Sequence, residues 1–177
     1  MLSKSDIEGY LKEIAAAMEA EEIRSEIVLC GGAVMTMVYD ARPSTKDIDA
    51  LFEPAAKLRM IASRIAERDG LEADWLNDGA KGFIDTSRMT FETVRDFGAL
   101  VVKTPDTRGM LALKLVSARE DSKDAADALF LMERLDIQSE AELFEIIEEN
   151  IAPPRLTPLA NFFAKEMYQK YLEKKKA

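Results

Sequence analysis

Two adjacent glycines followed, one short helix later, by two aspartates a residue apart constrain this chain more than any other feature. Leu29-Cys30-Gly31-Gly32-Ala33-Val34 leads on to Asp47-Ile48-Asp49-Ala50-Leu51-Phe52. Glu26 to Cys30 reads as a short buried strand and the apolar run from about Ala33 to Tyr39 as a helix. Ala41-Arg42-Pro43-Ser44 reads as a turn, and a second strand then carries Asp47 and Asp49. Strand residues two apart project from the same side, so the two carboxylates stand together. Like charges that close raise each other's pKa unless a cation lies between them. A pair of oxygen ligands suits Mg2+ (or Mn2+), which takes one or two carboxylates and completes its shell with substrate phosphates. Glycines let backbone approach a phosphate closely, and a helix starting there turns its positive end toward the anion. On these residues alone, a plain strand-turn-helix with an exposed Asp pair stays open as the alternative.

What the chain lacks narrows its chemistry. It has no His, so His-based general bases and His metal ligands are excluded, leaving carboxylates, Lys, Arg and a metal. Its one cysteine, Cys30, lies in an apolar strand, which rules out a disulfide framework and fits a reducing, cytoplasmic setting. Met1 to Tyr10 holds Ser, Lys, Asp and Glu instead of a signal-peptide core, and no apolar run is long enough to span a membrane. A net charge of −9 argues against broad non-specific nucleic-acid binding, which needs Lys and Arg to neutralise phosphates. The most basic spot, Lys174-Lys175-Lys176, reads as a solvated, frayed terminus.

The remaining elements follow from periodicity. Ser5 to Ala20 reads as an amphipathic helix with Ser5 and Glu8 as its capping box and Ile7, Leu11, Ile14 and Met18 inward. Pro54 opens another helix, buried through Leu58, Ile61, Ala62 and Ile65 and stopped at Gly70. Trp75 is a core anchor, and Asn77-Asp78-Gly79 a turn or cap. Met89 to Asp96 and Ala99 to Thr104 form a hairpin around Phe97-Gly98. Helices follow from Thr107 to about Arg119, from about Asp121-Ser122, after Ser139, and after Pro158. These elements give an α/β (α+β) fold: a small mixed sheet with flanking helices over residues 1–104, and a helical C-terminal part over 105–177 packed on that core.

A second constellation lies in the segment from Met110 to Asp127. Lys114 stands among Leu and Ala, Arg119 follows five residues on, and Lys123-Asp124-Ala125-Ala126-Asp127 closes the run. Singly these read as a snorkelling Lys, an acid at a helix N-terminus and a surface acid.

Taken together, the hydrophobic-Gly31-Gly32 turn, the helix and Asp47-Ile48-Asp49 resemble the signature of the polymerase-β-like nucleotidyltransferase superfamily. The Lys114…Arg119…Lys123-Asp124-x-x-Asp127 run is similar to the downstream motif of nucleotidyltransferases from abortive-infection toxin–antitoxin systems. Trp75-Leu76-Asn77-Asp78 looks like a segment of small prokaryotic nucleotidyltransferase-like proteins. The resemblance implies a nucleoside triphosphate at Gly31 and Gly32, and Mg2+ at Asp47 and Asp49. It places Lys114, Arg119 and Asp124 in the nucleotide pocket, with Asp47, Asp49 and Asp124 as the catalytic acids. Many members use a third carboxylate on a later strand; the candidates here are Asp124, Glu92 and Asp85. The expected activity is transfer of an NMP group from an NTP to a hydroxyl acceptor, RNA or protein, within a toxin–antitoxin setting that supplies a cognate protein partner. The alternative is a catalytically silent nucleotide-binding or protein-interaction module of the same fold.

Overall fold

The computed structural model describes residues 1–117 and 122–176, and these residues form a mixed α+β architecture in two compact units. One unit comprises residues 1–82 and 91–104; the other comprises residues 83–90 and 105–177.

In the first unit, β1 (Leu2–Ser3) runs into α1 (Lys4–Ala20), then β2 (Ser25–Leu29), α2 (Gly31–Met37), β3 (Ser44–Thr45), β4 (Ile48–Glu53), α3 (Ala55–Asp69), β5 (Leu76–Asn77), β6 (Phe91–Asp96) and β7 (Leu100–Pro105). The cap of α1 is Ser3 and not Ser5: Ser3 Oγ accepts from the Asp6 amide while Asp6 accepts from the Ser3 amide, a complete capping box. Both serines have an acid three residues on. The choice falls to Ser3 because β1 delivers it in extended conformation through its pairing with Ser44.

The sheet has the order β5-β4-β2-β7-β6. β2 is antiparallel to β4 and parallel to β7, and β4 is parallel to β5. Along β4 the alternation is strict: Ile48, Ala50 and Phe52 are buried, Asp49 and Leu51 half-buried, Glu53 exposed. Register places Ile27 and Val102 on the same face as Phe52, so α1, α2 and α3 gather on one side of the sheet around a continuous apolar layer. Trp75 is buried there, its Nε1–H donating to the Ala62 carbonyl at 3.0 Å and its ring 4.9 Å from that of Tyr10. Gly70 closes α3 in the left-handed conformation at φ +67°.

In the second unit, α4 (Thr107–Ser117) packs against α5 (Ser122–Leu135), α6 (Glu140–Asn150) and α7 (Pro158–Lys176). Every residue of α4 from Gly109 to Leu115 is buried, the signature of a helix enclosed on all sides. Segment 83–90 belongs with these helices: the Thr90 carbonyl accepts from the Asp106 amide and the Arg155 guanidinium stacks 5.3 Å from the Phe83 ring. Among the described residues, no helix is long and apolar enough to cross a membrane.

Candidate functional site

The strand β2 ends at Leu29, and its antiparallel partner β4 begins at Ile48. Between them, the Cys30 amide donates to the Asp49 carbonyl at 2.9 Å, and the Cys30 thiol donates to the same oxygen. This ladder brings the glycine turn against the acid strand. Gly31 sits at φ +61°, a conformation that costs L-residues with a Cβ, and a Cβ there would lie 2.8 Å from Asp49 Oδ2. Gly32 is as closely backed: a Cβ would collide with the Thr45 hydroxyl and come within 3.5 Å of Arg42 Nη1. Neither position takes a Cβ without a shift of the Asp49 carboxylate or the Thr45 side chain. Both glycines fall within α2 itself, which starts at Gly31 and has only seven residues, so its macrodipole contribution is small.

Asp47 lies just before β4 and Asp49 within it. The Asp47 carboxyl is held above its ordinary range, first by burial and then by the Asp49 charge; Asp74 adds to this and Lys46 opposes it. A carboxyl with a raised folded-state pKa binds its proton better folded than unfolded, so stability falls as pH rises from the ordinary Asp range through the raised value. Asp47→Asn is accordingly expected to be more stable than wild type at pH 7, by under about 1 kcal/mol for such partly hydrated charges. The gain should vanish below about pH 4, where the carboxyl is protonated in both states. Urea denaturation at both pH values checks this; a variant less stable at pH 7 would contradict it.

On the far side of Asp49 stands β5. Asn77 is the register partner of Asp49. The Gly79 amide donates to Asn77 Oδ1 at 2.9 Å, and a Cβ on Gly79 would lie 3.9 Å from Asp49 Oδ1. Asp78 pairs with Arg59 of α3. The Asn77-Asp78-Gly79 turn expected from sequence is thus present, and it borders the acid pair.

Of the candidate third acids, Glu92 belongs to the same unit as Asp47 and Asp49, and Asp85 and Asp124 belong to the other. Glu92 is exposed on edge strand β6, three strand spacings from β4, roughly 14 Å at about 4.8 Å each. Asp85 accepts from the Ser87 amide and hydroxyl, bonds that hold its pKa below the ordinary range, and it caps its own turn. Asp124 lies in the helical unit, where Lys114 Nζ donates to it at 2.7 Å and to Asp127 at 2.8 Å. Lys114 and Asp127 are 6 % and 3 % exposed, so Lys114 is neither snorkelling nor solvated, and Asp127 is no surface acid. Arg119 lies outside the described residues. Among the described residues, no three His, Cys, Asp or Glu side chains are arranged to hold a metal ion.

Sequence reasoning gave Thr45, Asp74 and Gly79 no part in the site. Thr45 follows the expected turn at Ala41-Arg42-Pro43-Ser44 and gives no signal of its own, because a two-residue strand such as β3 has no periodicity to read. Asn77 was singled out without a role, since a parallel register is invisible in sequence.

No protein-family model matches the chain, and neither a curated protein nor a solved structure is significantly similar to it.

Proposed function

We propose that this protein binds a nucleoside triphosphate with a divalent cation at Asp47 and Asp49 and transfers its NMP group to a hydroxyl acceptor, the α–β phosphoanhydride bond breaking to release pyrophosphate. The observation that carries the reading is the seating of the Asp49 carboxylate over Gly31, with Asp47 close enough to feel its charge. Two repelling, half-buried acids are the donor set a hard cation relieves, and two protein carboxylates leave the remaining positions to water and phosphate oxygens. Asp47 and Asp49 would hold Mg2+ or Mn2+, which would supply neutralisation of the negative charge on the transferred group.

The chain's own residues do the rest. Gly31 and Gly32 lack side chains where the Asp49 carboxylate and the Thr45 hydroxyl pack against the turn, and so seat Asp49 there. One carboxylate of the site takes the proton of the acceptor hydroxyl. The net charge of −9 directs the reading toward a small-molecule or protein acceptor, or a specific RNA end, over bulk nucleic acid. A toxin–antitoxin setting with a cognate partner belongs to the same proposal.

A second reading, a nucleotide-binding module without transfer, is favoured by the edge position of Glu92 and the capping role of Asp85. Incubation of the full chain with Mg2+ and each α-labelled NTP, with total RNA present, separates the two. Label on RNA or protein that disappears in Asp49→Asn supports transfer. Binding of Mn·ATP without transferred label supports the module. Absence of both binding and label overturns both readings.

A further inference from the structure

We infer that the Thr45 hydroxyl is a phosphate ligand, donating to a non-bridging oxygen of the triphosphate held beside Asp47 and Asp49. The inference deepens the proposed nucleotide site and rests on it.

Thr45 is 6 % exposed, yet among the described residues its hydroxyl makes no hydrogen bond. A hydroxyl removed from water without a partner is unfavourable in the free protein. Its placement is fixed by the fold. β3 pairs with β1, and Leu2, itself 4 % exposed, is the register partner of Thr45. A β-branched side chain in a strand has few rotamers open to it. The one adopted turns the hydroxyl toward the glycine turn: Oγ1 lies nearer to where a Gly32 Cβ would stand than the Thr45 Cβ does, at 3.2 Å. That position is one bond of about 1.5 Å from the Gly32 Cα, so the hydroxyl is in van der Waals contact with the backbone of the turn.

The charges around this hydroxyl suit an anion. Arg42 Nη1 stands 3.5 Å from the same Cβ position, and the Lys46 charge is felt by the Asp47 carboxyl. Segment 42–46 thus sets a guanidinium and a hydroxyl against the turn and an ammonium near Asp47. A metal–triphosphate presents its metal to carboxylates and its remaining oxygens to N–H and O–H donors, and both kinds of partner lie here within a few residues.

A hydrogen bond to a charged acceptor is worth about tenfold to a hundredfold in affinity. Thr45→Val and Thr45→Ala should weaken Mn·ATP binding by that factor, read by isothermal titration calorimetry of the full chain. Thr45→Ser should keep most of it. Val removes the hydroxyl at nearly constant shape, and Ala excludes crowding against Gly32 as the cause. Inorganic tripolyphosphate with Mn2+ should lose the same factor, because the hydroxyl meets phosphate and neither ribose nor base. Without ligand, Thr45→Val should unfold at the denaturant concentration of wild type or a higher one, since the buried hydroxyl has no partner to lose. A merely structural Thr45 would move stability and leave the affinities unchanged. Near-UV circular dichroism of the single tryptophan, Trp75, monitors folding; should Thr45→Val not fold, Thr45→Ala decides the matter. Wild-type Mn·ATP affinity in the folded variants, with Asp49→Asn deficient, would overturn the role of Thr45 while leaving the nucleotide site standing. A loss confined to Mn·ATP, with Mn·tripolyphosphate unaffected, would overturn the assignment to phosphate. Absence of Mn·ATP binding by wild type, or undiminished binding by Asp49→Asn, would remove the nucleotide site and the role with it.

Discussion

Replacing Lys114 by Met is expected to destabilise the protein by about 3–5 kcal/mol, the usual cost of leaving a buried ion pair without one partner. Lys114 sits on the helix that the rest of the helical unit surrounds, and its ammonium is shared by Asp124 and Asp127 at 2.7 and 2.8 Å. Met conserves the stem volume but not the charge. Asp124, with 24 % of its side chain exposed, can rehydrate; Asp127, at 3 %, cannot. The cost should therefore come chiefly from Asp127, and the double variant Lys114→Met/Asp127→Asn should regain most of it. The resemblance to toxin nucleotidyltransferases treats Lys114 as a phosphate ligand, under which Lys114→Met should keep the fold and lose only nucleotide affinity. Burial between two acids reverses the first half of that expectation. Chemical denaturation followed by far-UV circular dichroism is the measurement, and a loss below about 1 kcal/mol, the scale of an exposed pair, would show that the triad is more hydrated than its burial implies.

Gly31→Ala should disable the candidate site more than any other change that leaves its acids in place. The left-handed conformation alone costs an L-residue about 1–2 kcal/mol, and Gly31 holds it at φ +61°. The added methyl would also stand 2.8 Å from Asp49 Oδ2, closer than a Cβ tolerates, so the carboxylate must move. A displacement of about 1 Å at a reacting centre costs about 10²-fold in rate. Gly70→Ala is the control: its φ is +67° but nothing lies within 4 Å of its Cβ position. The two variants should lose comparable stability, and Gly31→Ala alone should lose Mn2+ binding and label transfer. Equal Mn2+ affinities in the two would show that Asp49 yields without consequence.

Those expectations draw on features that differ in how visible they are in sequence. Amphipathic stripes marked α1 and α3 because helix periodicity is carried by many residues at once, and Gly70 announced the end of α3 through its need for a left-handed φ. The glycine turn and the acid strand were each legible because a turn and an alternating strand are both local, whereas the packing of Asp49 on Gly31 depends on the β2–β4 pairing. Lys114 was not: its burial depends on three helices that enclose α4, and a Lys in an apolar run looks the same whether it snorkels or is captured by acids. The relation of Asn77 to Asp49 was hidden for another reason. Parallel strands are joined through a crossover, so their register leaves no trace at short range.

The hydrogen bond from the Cys30 amide to the Asp49 carbonyl has a consequence for how the molecule assembles. It closes a loop between residues nineteen apart, whereas the Ser25 hydroxyl reaches the Ala99 carbonyl across 74. Loop-closure entropy grows only logarithmically, yet topologies dominated by distant pairings form more slowly than local ones. The glycine turn and its acid strand thus make up a low-contact-order segment, complete in sequence well before β7 is reached. A growing chain carries every residue of that segment before the strand that finishes the sheet has been synthesised.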